Sequence, residues 1–224
     1  MKKYKRVVSI GGHPLDAELM GGPLALRMND QGAKSTMMHV TTGRLEDKDA
    51  SEKEKKEYLE DLNYQIKNVA NLLSCEAYQM NYISSDMPKM SEFVEVLYSY
   101  FKDEKVDLVI THHVGTMHDR HYFTHRGVKE AVKKLRDEGY GIDLFYGENL
   151  EDLVGFVPTA YIQMPEDHVE KWFTALEEYE IFRGKVNTVP YKDYYRTMGR
   201  VRGIEAGSPG FVKAYMHAGM IHYK

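Results

Sequence analysis

The chain has 224 residues, 42% of them hydrophobic, with 34 acidic residues against 30 basic ones and a single cysteine. That is enough apolar material for one sizeable core. The near balance of charge excludes the basic face of a nucleic-acid binder and the polybasic tail of an anionic-membrane binder, and a lone Cys75 excludes an internal disulfide and fits a reducing cytoplasm.

The basic start followed by RVVSI (6–10) is too short in its apolar part for a secretory leader and reads as a first buried strand. Residues 16–31 read as a helix, with Pro23 near its first turn and Gly32 at its end. STMMHVT (35–41) is a second strand. The polar stretch 44–61 reads as a loop leading into a solvated helix face. There Ser51 and Glu54 form a capping box, and Leu59, Leu62, Ile66, Val69 and Leu73 make the apolar stripe of that helix. AYQMNY (77–82) is a third strand, and Phe93, Leu97 and Phe101 mark another helix. VDLVIT (106–111) is a short buried strand, followed by a helix striped with Val128, Val132 and Leu135; IDLFYG (142–147) is a fifth strand.

TAYIQM (159–164) is one more strand, followed by helices around 166–182 and 190–205. Trp172, Phe173 and Leu176 read as core or subunit-interface packing. In YKDYYRTMGRVRG (191–203), Tyr194, Met198 and Val201 share one face of a packed helix with solvated arginines, so the segment is not a nucleic-acid stripe. No apolar run reaches the 18 residues of a membrane helix. Strands alternating with helices predict an α/β fold with a mostly parallel sheet and helices on both faces. No repeat or composition break divides the chain, so residues 1–224 are expected to form one domain.

Open parallel sheets bind ligands outside the carboxyl ends of their strands. The polar residues gather there: GGHPLDAE after the first strand, TTGR (41–44) after the second, HHVGTMHDRHYFTH (112–125) after the 106–111 strand, and ENLED (148–152) after the fifth. Five of the ten histidines lie in 112–125. His13 and Asp16, three apart around a proline turn, can aim an imidazole and a carboxylate at one point. A nitrogen from His118, His121 or His125 would complete a two-histidine, one-carboxylate set of the kind that holds catalytic zinc and leaves room for water and substrate. His112 and His113 read as hydrogen-bonded loop residues. The glycine pairs do not match the spacing of a dinucleotide loop.

HPLDAE (13–18) resembles the H-P-D-D-x-E motif of the PIG-L/LmbE-like N-acyl-sugar deacetylases. HDRH (118–121) resembles their H-x-D-H motif, and ENLEDLVGF (148–156) is similar to one branch of that family. The resemblance implies a Rossmann-like fold, and a zinc ion held by His13, Asp16 and His121. It also implies removal of an acetyl group from an amino sugar or similar small molecule, with His118 stabilising the developing oxyanion and Arg44 contacting substrate. The pattern departs in two places. Leu15 stands where the family has its general-base aspartate. Arg120 stands at the aspartate of the second motif, with Asp119 displaced by one, and there it could meet an anionic group of the substrate.

A gapped alternative pairs His121 with His125, which leaves His125 a second candidate ligand. Asp119, Glu148 and His118 are the candidates to replace the base, and Glu18 matches the motif glutamate expected to support the ligands from behind. The alternative to a slow or re-equipped hydrolase is a non-catalytic homologue that keeps metal and ligand binding. The family and the aromatic C-terminal third also suggest self-association.

Overall fold

The computed structural model describes residues 3–43 and 49–219. Seven strands form one sheet: β1 (Arg6–Gly11), β2 (Lys34–Thr41), β3 (Glu76–Tyr82), β4 (Leu108–Thr111), β5 (Asp143–Gly147), β6 (Ala160–Met164) and β7 (Phe211–His217). Their spatial order is β3-β2-β1-β4-β5-β7-β6. The first five pair in parallel, as helical crossovers require, while β7 runs antiparallel to both β5 and β6. Among the described residues the helices are α1 (Asp16–Asn29), α2 (Glu52–Leu72), α3 (Met90–Asp103), α4 (Asp119–Asp137), α5 (Glu166–Leu176) and α6 (Tyr191–Glu205). Among the described residues, no helix is long and apolar enough to cross a membrane.

The sheet separates two cores. Val8 and Ile10 of β1 pack with Phe93, Leu97, Val128 and Val132 under α3 and α4. On the other face, Leu19 of α1, Ile66 and Val69 of α2, Trp172 and Phe173 of α5 and Tyr195 of α6 form a second core. The α2 capping box is present, with the Glu54 N–H donating to Ser51 Oγ and the Ser51 N–H to Glu54 Oε2.

Four expectations need correction. Helix α1 starts at Asp16, so Pro23 lies two turns inside it rather than near its first turn. Helix α5 stops at Leu176, and the chain passes through turns before α6. The buried face of α6 is Tyr195, Gly199 and Gly203 rather than Tyr194, Met198 and Val201. A Cβ on Gly199 would collide with the Phe211 ring, and one on Gly203 with the Gly210 carbonyl, so the glycines let the helix lie directly on β7. Strand β7 itself was not expected. Trp172, Phe173 and Leu176 are buried within the chain and so serve as its core.

Candidate active site

The carboxyl ends of β1, β2, β4 and β5 open on one edge of the sheet, and three chain segments meet there. The first is a tight turn after β1. The Asp16 N–H donates to the His13 carbonyl at 3.3 Å across Pro14 and Leu15, and Leu15 has φ 87° and ψ −36°. This is close to a type II turn, which suits proline at its second position and favours glycine at its third. Leu15 accepts the left-handed backbone while its side chain, 2% exposed, joins the core containing Met37, Leu62 and Tyr179. The turn folds Asp16 back on His13: Asp16 Oδ2 accepts from the His13 N–H at 2.8 Å and lies 3.3 Å from His13 Nδ1.

The second segment is the start of α4. His118 is its N-cap residue, and His121 is buried one turn in. The His118 ring lies 4.7 Å from the His13 ring and 4.5 Å from the His121 ring between centroids. The close approach of α4 depends on Gly12, where a Cβ would stand 3.1 Å from His121 Cδ2 and 3.3 Å from the Arg120 backbone.

The third segment, 148–152 after β5, orients the other two. Asp152 is fully buried and accepts from His112 Nδ1–H at 2.5 Å and from His121 Nδ1–H at 2.9 Å. The other nitrogen of His112 accepts the Gly12 N–H at 2.8 Å, so both sides of that ring are used. Asn149 Nδ2 donates to Asp16 Oδ1 at 3.3 Å, and Asn149 is itself held by the Tyr195 hydroxyl.

The remaining nitrogen of His121 decides what the cluster can hold. With Nδ1–H committed to Asp152, Nε2 presents a lone pair. It is buried, has no hydrogen-bond donor, and lies 3.2 Å from Asp16 Oδ2. A lone pair and a carboxylate oxygen at that distance repel unless a cation sits on or between them. Without a metal that cation is a proton. Burial disfavours it, but Asp16 and Asp152 outweigh burial and push the His121 imidazole up to about 10. Burial likewise opposes the Asp16 charge, yet His121, His112 and His13 hold its carboxyl well below the usual range. Ring nitrogens of His13, His118 and His121 lie within 4.8 Å of one another, as do a carboxylate oxygen of Asp16 and ring nitrogens of His112 and His121. Imidazole and carboxylate around an orphaned buried nitrogen is a donor set that fits a divalent cation.

The structure thus brings His13, Asp16, His118 and His121 together. It separates the other candidates from them. Glu18 lies two residues beyond Asp16 on α1, about 200° around the helix at ~100° per residue. It points into the core instead, 3.0 Å from His39 Nε2 and accepting the Tyr179 hydroxyl at 3.1 Å. His125 lies one turn deeper on α4 and donates from Nδ1 to the His112 carbonyl at 2.9 Å, so it supports the β4 end and does not join the ligand cluster. Glu148 is buried against Arg202, with its Oε1 accepting at 2.5 and 2.8 Å, and faces α6. Asp119 opens α4 on its exposed side and makes no side-chain hydrogen bond or ion pair among the described residues. Arg120 reaches across to the segment after β3, where its Nε–H donates to Ser84 Oγ at 2.9 Å. Arg44 lies outside the described residues.

Asp152, Asn149 and Glu151 were not singled out from the sequence, although their segment was. Glu151 Oε2 is 3.7 Å from His121 Nε2, and burial raises its carboxyl above the ordinary value.

Comparison with known proteins gives the family and the fold. The family model described as PIG-L, GlcNAc-PI de-N-acetylase, matches residues 8–132, more than half of the chain and both histidine segments. No curated protein sequence matches significantly. Among solved structures, the N,N'-diacetylchitobiose deacetylase of Pyrococcus horikoshii superposes with a TM-score of 0.74 at 18% identity, over 96% of this chain and 84% of that one. A 4-carboxy-2-hydroxymuconate hydratase from Pseudomonas putida gives 0.81 at 11% identity, over 98% of each chain. The zinc-inhibited form of a teicoplanin deacetylase gives 0.72 at 12% identity, over 96% of this chain and 99% of that one. At these identities the likeness establishes the fold.

Proposed function

The chain belongs to the PIG-L family, and on that premise we propose that it is a zinc-dependent hydrolase that removes an acetyl group from an amino sugar or a similar small amide. The single observation that carries this reading is the orphaned His121 Nε2 facing Asp16 Oδ2 at 3.2 Å. His13, Asp16 and His121 would hold the metal. When bound there, a divalent ion supplies Lewis acidity, polarising an amide carbonyl and acidifying water. Asp152 fixes the His121 tautomer so that Nε2 keeps its lone pair. Asn149 and the His13 N–H hold the Asp16 carboxylate in place. His118, exposed at the α4 start beside His13 and His121, is placed to donate to the carbonyl oxygen as it gains charge. Arg120 is half-buried with its Nε–H on Ser84, and offers the rest of its guanidinium to an anionic group of the substrate.

One observation favours a second reading. Leu15 occupies the position of the family's base and is buried in the core, so a ligand-binding homologue without turnover is the alternative. The test takes wild type and His13→Ala through elemental analysis and an acetate-release assay on a panel of N-acetylated amino sugars, anionic ones included. Stoichiometric zinc and acetate release, both lost in the variant, support the hydrolase. Zinc without turnover on any substrate favours the binding protein. Absence of metal after zinc loading overturns both.

A further inference from the structure

Hydrolysis of an amide needs a group to take a proton from water, and Leu15 cannot. We propose that Glu151 is the carboxylate that does so, an inference that rests on the hydrolase reading above. Its placement is the argument. Glu151 sits in the loop that also carries Asn149 and Asp152, and those two neighbours lock the loop onto Asp16, His112 and His121. Its Oε2 lies 3.7 Å from His121 Nε2, the nitrogen left without a donor. It makes no other side-chain hydrogen bond or ion pair among the described residues. About half of its side chain is open to solvent, at 52%, so water and substrate can reach it. Of the other carboxylates of this edge, Asp16 is committed to His13, Asn149 and His121, Asp152 to two imidazoles, and Glu148 to Arg202, while Asp119 is unpaired among the described residues but lies on the exposed side of α4 with no contact to the cluster nitrogens. Glu151 combines proximity to the cluster, exposure and the lack of another partner among the described residues.

In the step proposed, water oxygen bonds to the amide carbonyl carbon while one water proton passes to Glu151 Oε2. The carbon–nitrogen bond then breaks, and Glu151 returns that proton to the departing nitrogen. Acetamide and water leave as free amine and acetic acid, which ionise to ammonium and acetate, and Glu151 is regenerated as a carboxylate. No oxidant or further reactant is required.

The experiment compares zinc-loaded wild type with Glu151→Gln and Glu151→Asp in three measurements: zinc affinity by chelator competition, acetate affinity by calorimetry, and kcat and KM on the acetylated panel. Glutamine is nearly isosteric and half exposed, so the fold should be kept. A proton-transfer role predicts a zinc affinity within tenfold of wild type and a kcat lowered by about 10² to 10⁴-fold with KM little changed. Glu151→Asp should recover part of that loss. Removing a negative charge beside the cluster should also tighten acetate binding at least about twofold. A zinc affinity that falls tenfold in Glu151→Gln would make Glu151 a ligand and overturn the proposal, as would unchanged kcat. If wild type turns over no substrate, the hydrolase reading fails by itself. Acetate affinity then decides the placement of Glu151: tighter binding upholds it and unchanged binding overturns it.

Discussion

Replacing Asp152 by Asn tests the architecture of the cluster most directly. Asp152 accepts two N–H donors, at 2.5 Å from His112 and 2.9 Å from His121. An asparagine can accept only on its oxygen, so its amide would face one of the two imidazoles with a donor. One histidine must then change tautomer to remain paired. His112 cannot do so without turning an N–H against the Gly12 N–H that now donates to it. His121 can, because its Nε2–H would then point at Asp16 Oδ2, 3.2 Å away. The metal-free protein therefore keeps its pairing, with the Nε2 proton facing Asp16 as in wild type, but Nε2 can give up that proton to a metal only if an Nδ1–H returns against the asparagine amide. Loss of such an outer-sphere partner typically weakens metal binding by about 10 to 100-fold, or about 1.4 to 2.7 kcal/mol. Zinc competition against a chromophoric chelator reads the affinity, and thermal melts with and without zinc read the stability. The expected result is weaker zinc binding with a smaller change in the metal-free Tm than in the zinc-loaded Tm. Zinc affinity within twofold of wild type would refute the tautomer argument.

The His121 imidazole without metal is pushed up to about 10 from an ordinary 6.5. Zinc uptake at pH 8 should therefore release about one proton, and apparent affinity should rise roughly tenfold per pH unit between about 7 and 9; proton release measured in weakly buffered solution checks it. Because the folded value is raised, the stability this proton gives the metal-free fold is complete below about pH 6.5 and is lost as pH rises through about 10, so the metal-free Tm should fall across that window. Glu148→Gln should leave kcat within a few-fold while destabilising by about 1.5 to 3 kcal/mol, since it removes the charge-assisted bonds to Arg202, which keeps its pairing with Glu205; a large loss of kcat at an unchanged Tm would return Glu148 to the chemistry. Gly199→Ala should lower stability by about 1 to 3 kcal/mol through overpacking against Phe211, measured by urea unfolding.

The α/β architecture was legible because its signals are local. Buried parallel strands are continuous apolar runs, and α2 announces itself through Ser51, Glu54 and a helical stripe. The HPLD turn was legible for the same reason, since proline and a three-residue spacing fix where His13 and Asp16 point. Glu18 misled because a motif letter carries no helix phase, and its carboxylate turns away from Asp16 on the same helix. His125 misled in a similar way: it shares the α4 face of His121 but stands one turn too deep. Strand β7 escaped because its place between β5 and β6 depends on long-range antiparallel pairing.

That strand and α6 also account for what the C-terminal third does. Lys213 of β7 is buried, and burial lowers its ammonium to about 8, yet it donates to the Glu148 carbonyl at 2.8 Å. Arg202 of α6 grips the Glu148 carboxylate, and the Tyr195 hydroxyl accepts the Leu150 N–H. All three hold residues 148–150 from outside, and the next two residues are Glu151 and Asp152. The His121 tautomer thus depends on Asp152, and the Asp152 position on a loop anchored by elements distant in sequence. The candidate site is built from the turn at 12–16, the start of α4 and the loop 148–152, and is braced by α6 and β7, so Glu148 matters to it through the backbone it anchors, with its carboxylate turned toward Arg202.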